Sequence, residues 1–260
     1  MGLYARQKWR REGEKDTWIH DFNETVKALL AEQLADGSWD NSEITTIHKL
    51  FGLHLTVREP DDAIRRALEW LLSEDHLWRF LEMPRRAPDE IYDETTDDID
   101  DTVFHGLPFT GGCFGHFAVC AGLFLADCFG MSEESKVTRL YDTVAGQIEQ
   151  RAGHWCSVGC TNNALRAFIK HARYSKSRTT EMMVDYLGRR QLPSGKWRGR
   201  TPLYMTFNAL AHLDSENARR QCMAVVDGIV KAQNKDGSWG RIQKEWNTFL
   251  VVHALNRLNA

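Results

Sequence analysis

No stretch of this chain approaches eighteen uninterrupted apolar residues, so no helix that crosses a bilayer is expected. The amino terminus, MGLYARQKWRREGEK, is basic but lacks the apolar core of a secretion signal, which predicts a cytoplasmic protein. Charge of one sign is scarce as well. A formal net charge of −3 over 260 residues gives no global attraction to nucleic acid, so an anionic ligand would need local basic clusters. The six cysteines, Cys113, Cys120, Cys128, Cys156, Cys160 and Cys222, are too sparse for a disulfide scaffold and read as buried thiols.

What the chain does contain is a repeat. LLAEQLADGSW ends at Trp39, LGRRQLPSGKW at Trp197 and IVKAQNKDGSW at Trp239, and each carries Gln, three residues, Gly, one residue and Trp. QRAGHW, ending at Trp155, keeps Gln150, Gly153 and the Trp with one residue fewer, and degenerate copies fall at Trp78 and Phe114. The anchors recur about every forty residues, the period of a helical-hairpin array. Helical apolar spacing precedes each well-formed anchor, as at Phe22, Val26, Leu29 and Leu30, and follows it, as at Ile44, Ile47, Leu50 and Phe51. Asp36-Gly37, Ser194-Gly195 and Asp236-Gly237 supply the turn between them. About six such hairpins predict an all-α fold, an α/α toroid whose apolar, aromatic second helices line the centre. Residues 1–260 form one domain, with an N-terminal arm at 1–15 and a long loop at 79–97 placed to act as a lid.

The second feature is an acidic run, YDETTDDIDDT, ending at Thr102. Clustered carboxylates can share a proton, because like charges a few ångströms apart do not all ionise cheaply. The same residues could instead cap a helix that begins at TVFHG and complement its dipole. Gly106, Pro108, Gly111 and Gly112 should break any such helix within about two turns.

Taken together, the Gln-xxx-Gly-x-Trp copies resemble the QW motifs of the prenyltransferase and squalene-cyclase superfamily. Asp98 to Thr102, DIDDT, resembles the DxDDT motif of class II terpene cyclases, the group that contains squalene-hopene cyclase. That resemblance implies proton-initiated cyclisation of an isoprenoid, with Asp100 as general acid and Asp98 and Asp101 as its supporting partners. The carbocation must be shielded from water by aromatic faces, and the candidates are Phe104, Trp155, Tyr204, Phe207, Trp246 and Phe249. Trp39, Trp197 and Trp239 are assigned to the turns. Protonation requires no cofactor. Mg²⁺ enters if the substrate is a diphosphate, and Asp93 to Asp97, DETTD, has the spacing of the metal-binding motif of class I terpene synthases. Arg85, Arg86, Lys196, Arg198 and Arg200 could grip a phosphate, although charged residues near turns usually face water.

The resemblance also implies a small-molecule isoprenoid partner with no nucleic acid, and it allows peripheral membrane contact. Class II cyclases normally combine two toroids, so either this chain works as a single toroid with a small cavity, or a second subunit or homo-oligomer completes the site. Two alternatives stand beside this reading. Prenyltransferase β-subunits hold catalytic zinc on the same toroid, and His154, Cys156 and Cys160, or Cys113 and His116, offer sulfur and imidazole at workable spacing. Neither set has a fourth group in the sequence, so they read as core or turn residues and no metal site is assigned. The other alternative is a non-catalytic toroid that binds an isoprenoid or a protein.

Overall fold

The computed structural model describes residues 16–57, 60–82, 101–199 and 201–259. Helices α1 (Asp16–Leu30) and α2 (Glu43–His54) form the first hairpin, and α3 (Asp62–Leu71) opens the second. A π-helical turn, Glu74–Trp78, and the short α4 (Arg79–Glu82) follow. A 3₁₀ turn at Asp101–Phe104 then leads to α5 (Phe114–Cys128). Three more hairpins complete the chain: α6 (Ser135–Glu149) with α7 (Val158–Phe168), α8 (Arg178–Arg189) with α9 (Leu203–Leu210), and α10 (Glu216–Lys231) with α11 (Lys244–Leu258).

Five of the helix starts have a local cause in a capping side chain. Ser42, Asp61, Ser157, Ser177 and Ser215 sit in extended backbone, and their side chains accept from amides in the first turns of α2, α3, α7, α8 and α10. The first helix of each hairpin is amphipathic and forms an outer layer. In α10, for example, Ala218, Gln221, Cys222, Val225 and Ile229 are buried while the opposite face is wet. The second helices form the inner layer. Every residue of α7 is buried, and so is nearly all of α5 from Phe117 to Asp127. The inner helices pack in chain order, α2, α5, α7, α9, α11. The ring closes where Trp246 of α11 meets Phe51 of α2 edge-on, with ring centroids 6.1 Å apart.

The QW turns join one hairpin to the next. Gln33 Nε2 donates to Gly37 O of its own turn at 2.9 Å and to Ala63 O of α3 at 2.8 Å. Gln191 repeats the pair with Gly195 O and Gln221 O of α10, both at 2.8 Å. The glycines have positive φ and lie against the next outer helix, so that a Cβ on Gly195 would stand 1.9 Å from Ala224 O. The last turn differs. Gln233 donates to Gly237 O at 2.9 Å, and a Cβ on Gly237 would meet only the tip of Gln233, at 3.9 Å.

Three expectations are corrected. Among the described residues there are five hairpins rather than six, because Trp78 and Phe114 belong to the single hairpin that runs from α3 to α5. The third repeat is full length, with Glu149 in the Gln position instead of a shortened copy on Gln150. Glu149, Gly153 and Trp155 keep the spacing, and Glu149 Oε1 accepts from Thr179 Oγ1 of α8 at 2.5 Å. The loop expected from residue 79 begins as a helical turn, α4, and residues 83–97 lie outside the described residues.

Candidate functional site

Residues Val103 to Cys113 run across one end of the ring and meet four inner helices, α5, α7 and α11 close to their N-termini and α2 in its second turn. Val103 O lies 2.7 Å from His48 Nε2 of α2, and Leu107 O accepts from Trp246 Nε1 of α11 at 2.9 Å. Thr110 exchanges two 2.9 Å hydrogen bonds with the Asn163 side chain of α7. On the α5 side, Phe104 and Phe109 pack edge-on against Phe117, at centroid distances of 4.9 and 5.7 Å. The glycines that break the helix make this crossing feasible. A Cβ on Gly159 of α7 would stand 1.9 Å from Gly111 O, and one on Gly112 would stand 2.9 Å from Cys160 Sγ. As the sequence predicts, the helix at TVFHG is brief: it is the four-residue 3₁₀ turn, and α5 begins only at Phe114.

Beneath this segment the interior is aromatic. Phe124 contacts Phe51, His54 and Phe109, and Trp246 stacks on Phe249, which stacks in turn on His253. Phe104, Trp246 and Phe249 of the expected lining thus join one continuous set of ring contacts. Tyr204 and Phe207 lie on α9, half-buried and fully buried, and among the described residues neither joins that set. Trp155 takes the turn position of Trp39 and Trp239. Its amide donates to Thr161 Oγ1 as theirs do to Thr46 and Thr248, and its indole donates to Gln147 Oε1 at 3.0 Å. Asp98 and Asp100 lie outside the described residues, as do Asp93 to Asp97, Arg85, Arg86 and Arg200; Asp101 opens the 3₁₀ turn. Lys196 and Arg198 are exposed.

The far end of the interior is polar, which the sequence reading missed. Arg166 of α7 is 4% exposed, donates to Asn208 Oδ1 at 2.8 Å and to Met205 O at 3.1 Å, and its Nε has no acceptor among the described residues. Burial lowers its pKa to about 10, so it stays charged at neutral pH. Burial first, and then the Arg166 charge, pushes His212 down to about 3, and its Nε2 lies 3.3 Å from Nδ1 of His253. An arginine in the middle of an amphipathic sequence ordinarily reads as surface, so only its place on a helix buried on every side could have flagged it.

A second constellation stands where α5 and α7 begin. Cys113, His116, Cys156 and Cys160 bring one donor atom each to within 4.8 Å of all the others. Cys113 Sγ and Cys156 Sγ are 3.2 Å apart, far beyond disulfide bonding length, and His116 Nδ1 is 3.0 Å from Cys156 Sγ. The Cys113 thiol is pulled below the ordinary thiol range by hydrogen bonds from Cys156 and Cys160, while Cys160 is pushed up to about 12. The sequence offers two incomplete sets, a triple and a pair, and the fold brings four of their five residues together. His154 stays outside it, tilted on Tyr186 with centroids 4.9 Å apart, and burial lowers its pKa.

Comparison with known proteins bears on the fold and the family. Residues 154–254 match the sequence profile described as squalene-hopene cyclase C-terminal domain. A crystal structure of a protein from Actinoplanes is similar with a TM-score of 0.58 at 16% identity, over 99% of this chain and 89% of that one. The type II terpene cyclase MstE from Scytonema is 11% identical over 95% of this chain and 99% of that one, with a TM-score of 0.34. A variant of that enzyme in complex with geranylgeranyl dihydroxybenzoate is 12% identical over 98% and 99%, with a TM-score of 0.31. No curated protein matches the sequence. The stacked hairpins form an α/α toroid, and over residues 154–254 the chain is similar to the squalene-hopene cyclase C-terminal domain.

Proposed function

We propose that the protein is a class II terpene cyclase-like enzyme that starts the cyclisation of an isoprenoid by protonating it from Asp100. One observation carries the reading: DIDDT leads directly into the segment that enters the aromatic interior of a QW toroid, through the turn Asp101–Phe104. In the proposed reaction the Asp100 carboxyl gives its proton to a terminal alkene carbon, and the neighbouring carbon becomes a tertiary cation. Internal alkenes then attack in succession, each forming one C–C bond. Loss of a proton from the last cation ends the reaction, so the product is an isomer of the substrate and no redox cofactor is consumed. Asp98 and Asp101 keep the donor protonated, because three carboxyls so close in sequence resist ionising together. The rings of Phe104, Trp246 and Phe249 present electron-rich faces to the cation and exclude water.

The test is cyclisation in deuterated water of all-trans polyprenyl substrates, with and without a diphosphate, followed by mass spectrometry. The expected product carries one solvent-derived deuteron per molecule, and Asp100→Asn lowers the rate by more than about 100-fold, the scale of a lost general acid. Cyclisation at the wild-type rate by Asp100→Asn, or product without the label, would overturn the reading.

A further inference from the structure

We infer that Cys113, His116, Cys156 and Cys160 hold one Zn²⁺ ion in a closed, structural site that fastens the segment crossing the ring to α7. Three sulfurs and one imidazole nitrogen are a complete tetrahedral donor set. Around zinc, bonds of about 2.3 Å to sulfur and about 2.1 Å to nitrogen give tetrahedral edges of roughly 3.6–3.8 Å between donors. The separations here start at 3.0 and 3.2 Å and none exceeds 4.8 Å, so small side-chain rotations reach that geometry. The same compactness excludes a cluster of two irons, whose ligands sit on different metal atoms and spread further apart.

The surroundings suit thiolates. Cys113 caps α5, His116 lies in its first turn, and Cys160 lies in the first turn of α7, so the donors collect at the positive ends of two helices. The Cys113 amide donates to Cys160 Sγ at 3.3 Å, a bond that strengthens as the sulfur becomes anionic. His116 is held flat against Trp155, with centroids 3.8 Å apart and planes 13° apart, which fixes the ring and aims Nδ1 at the sulfurs. Gly112 and Gly159 allow the backbone approach that brings Cys113 to α7.

Four protein donors leave no open position for substrate or water. The site therefore anchors structure rather than supplying a Lewis acid, and it does not serve the catalytic role of zinc in prenyltransferases. It is independent of the cyclisation chemistry, and its readout is metal content.

The experiment uses the full chain, expressed in zinc-supplemented medium and purified under reducing conditions without a metal-affinity step. Elemental analysis should find one zinc per chain. Exchange with Co²⁺ should give the near-ultraviolet charge-transfer absorption and intense visible bands of a tetrahedral thiolate site. His116→Ala and Cys156→Ser should each lose more than the roughly 10–100-fold in affinity that removing an outer-shell partner costs, whereas Cys128→Ser should keep one zinc. Should the ligand variants fail to fold, chelation of the wild type decides: its melting temperature should fall and return with Zn²⁺ but not with Mg²⁺. Sub-stoichiometric metal with no cobalt spectrum, equal loss from Cys128→Ser, or a Cys113–Cys156 disulfide in the purified protein would each overturn the inference.

Discussion

Gly195 and Gly237 occupy the same place in two copies of one motif and have nearly the same backbone, φ +81° and +80°. Alanine at either position therefore bears the same left-handed backbone penalty, about 1–2 kcal/mol. Their neighbours differ. At Gly195 the new methyl group would lie 1.9 Å from Ala224 O, 2.5 Å from its carbon and 2.8 Å from Val225 Cα, all backbone atoms of α10. Relief requires the turn and the helix to separate by more than an ångström, which also strains the paired bonds of Gln191 to Gly195 O and Gln221 O. Overpacking of this kind costs about 1–3 kcal/mol, so Gly195→Ala should lose roughly 2–5 kcal/mol in all. Gly237→Ala adds no backbone clash and should lose only about 1–2 kcal/mol. With about 2–4 °C per kcal/mol for a chain of this size, the two melting temperatures should differ by several degrees or more in calorimetry. Equal losses, or a larger loss at Gly237, would refute the claim that each turn seats on the hairpin that follows it.

Two further outcomes follow from named contacts. Folded His212 stays neutral down to about pH 3, while the unfolded residue takes a proton near its ordinary pKa of about 6.5. Stability is thus complete above about pH 6.5 and declines as pH falls below it, by about 2 kcal/mol at pH 5. Denaturant titrations at pH 7.5 and pH 5 should show this, with a shallower decline in His212→Phe; an unchanged slope would mean that burial, with the Arg166 charge beside it, does not hold His212 neutral. Trp246→Phe removes the indole donor to Leu107 O and leaves that buried carbonyl unpartnered, which should cost about 1–3 kcal/mol in urea unfolding. A change below about 0.5 kcal/mol would show that the crossing segment is not anchored on α11.

The sequence made the fold legible because a turn at fixed spacing leaves a period. Gln33, Gln191 and Gln233 each donate to the glycine carbonyl of their own turn, and the helices between them follow from apolar spacing. The copy at Glu149 escaped because a carboxylate does the work of an amide there: it accepts from Thr179 instead of donating to a carbonyl, and a pattern keyed to Gln slides by one residue to Gln150. Among the described residues no sixth hairpin stands beside the five for a similar reason, since Trp78 and Phe114 are separate anchors in sequence but belong to one hairpin in space. Of the site, the break at Gly106 to Gly112 was readable, whereas its purpose was not. Hydrogen bonds from His48 to Val103 O and from Trp246 to Leu107 O join positions 55 and 139 residues apart, and no local pattern encodes such a closure. The Cys113, His116, Cys156 and Cys160 set failed to register for the same reason: its halves lie about forty residues apart and meet only where two inner helices begin.

The segment from Val103 to Cys113 crosses the ring where α5, α7 and α11 start. Each helix start carries about half a positive charge, so this mouth is an electropositive collar built from peptide dipoles. A solitary carboxyl drawn into such a collar gives up its proton readily and becomes a weak acid catalyst, however well it is aimed. Only a second negative group at close range reverses that bias and keeps the proton in place. Under the proposed reaction, acid chemistry at this end of the ring calls for aspartates in company, which is how they occur in the sequence DIDDT.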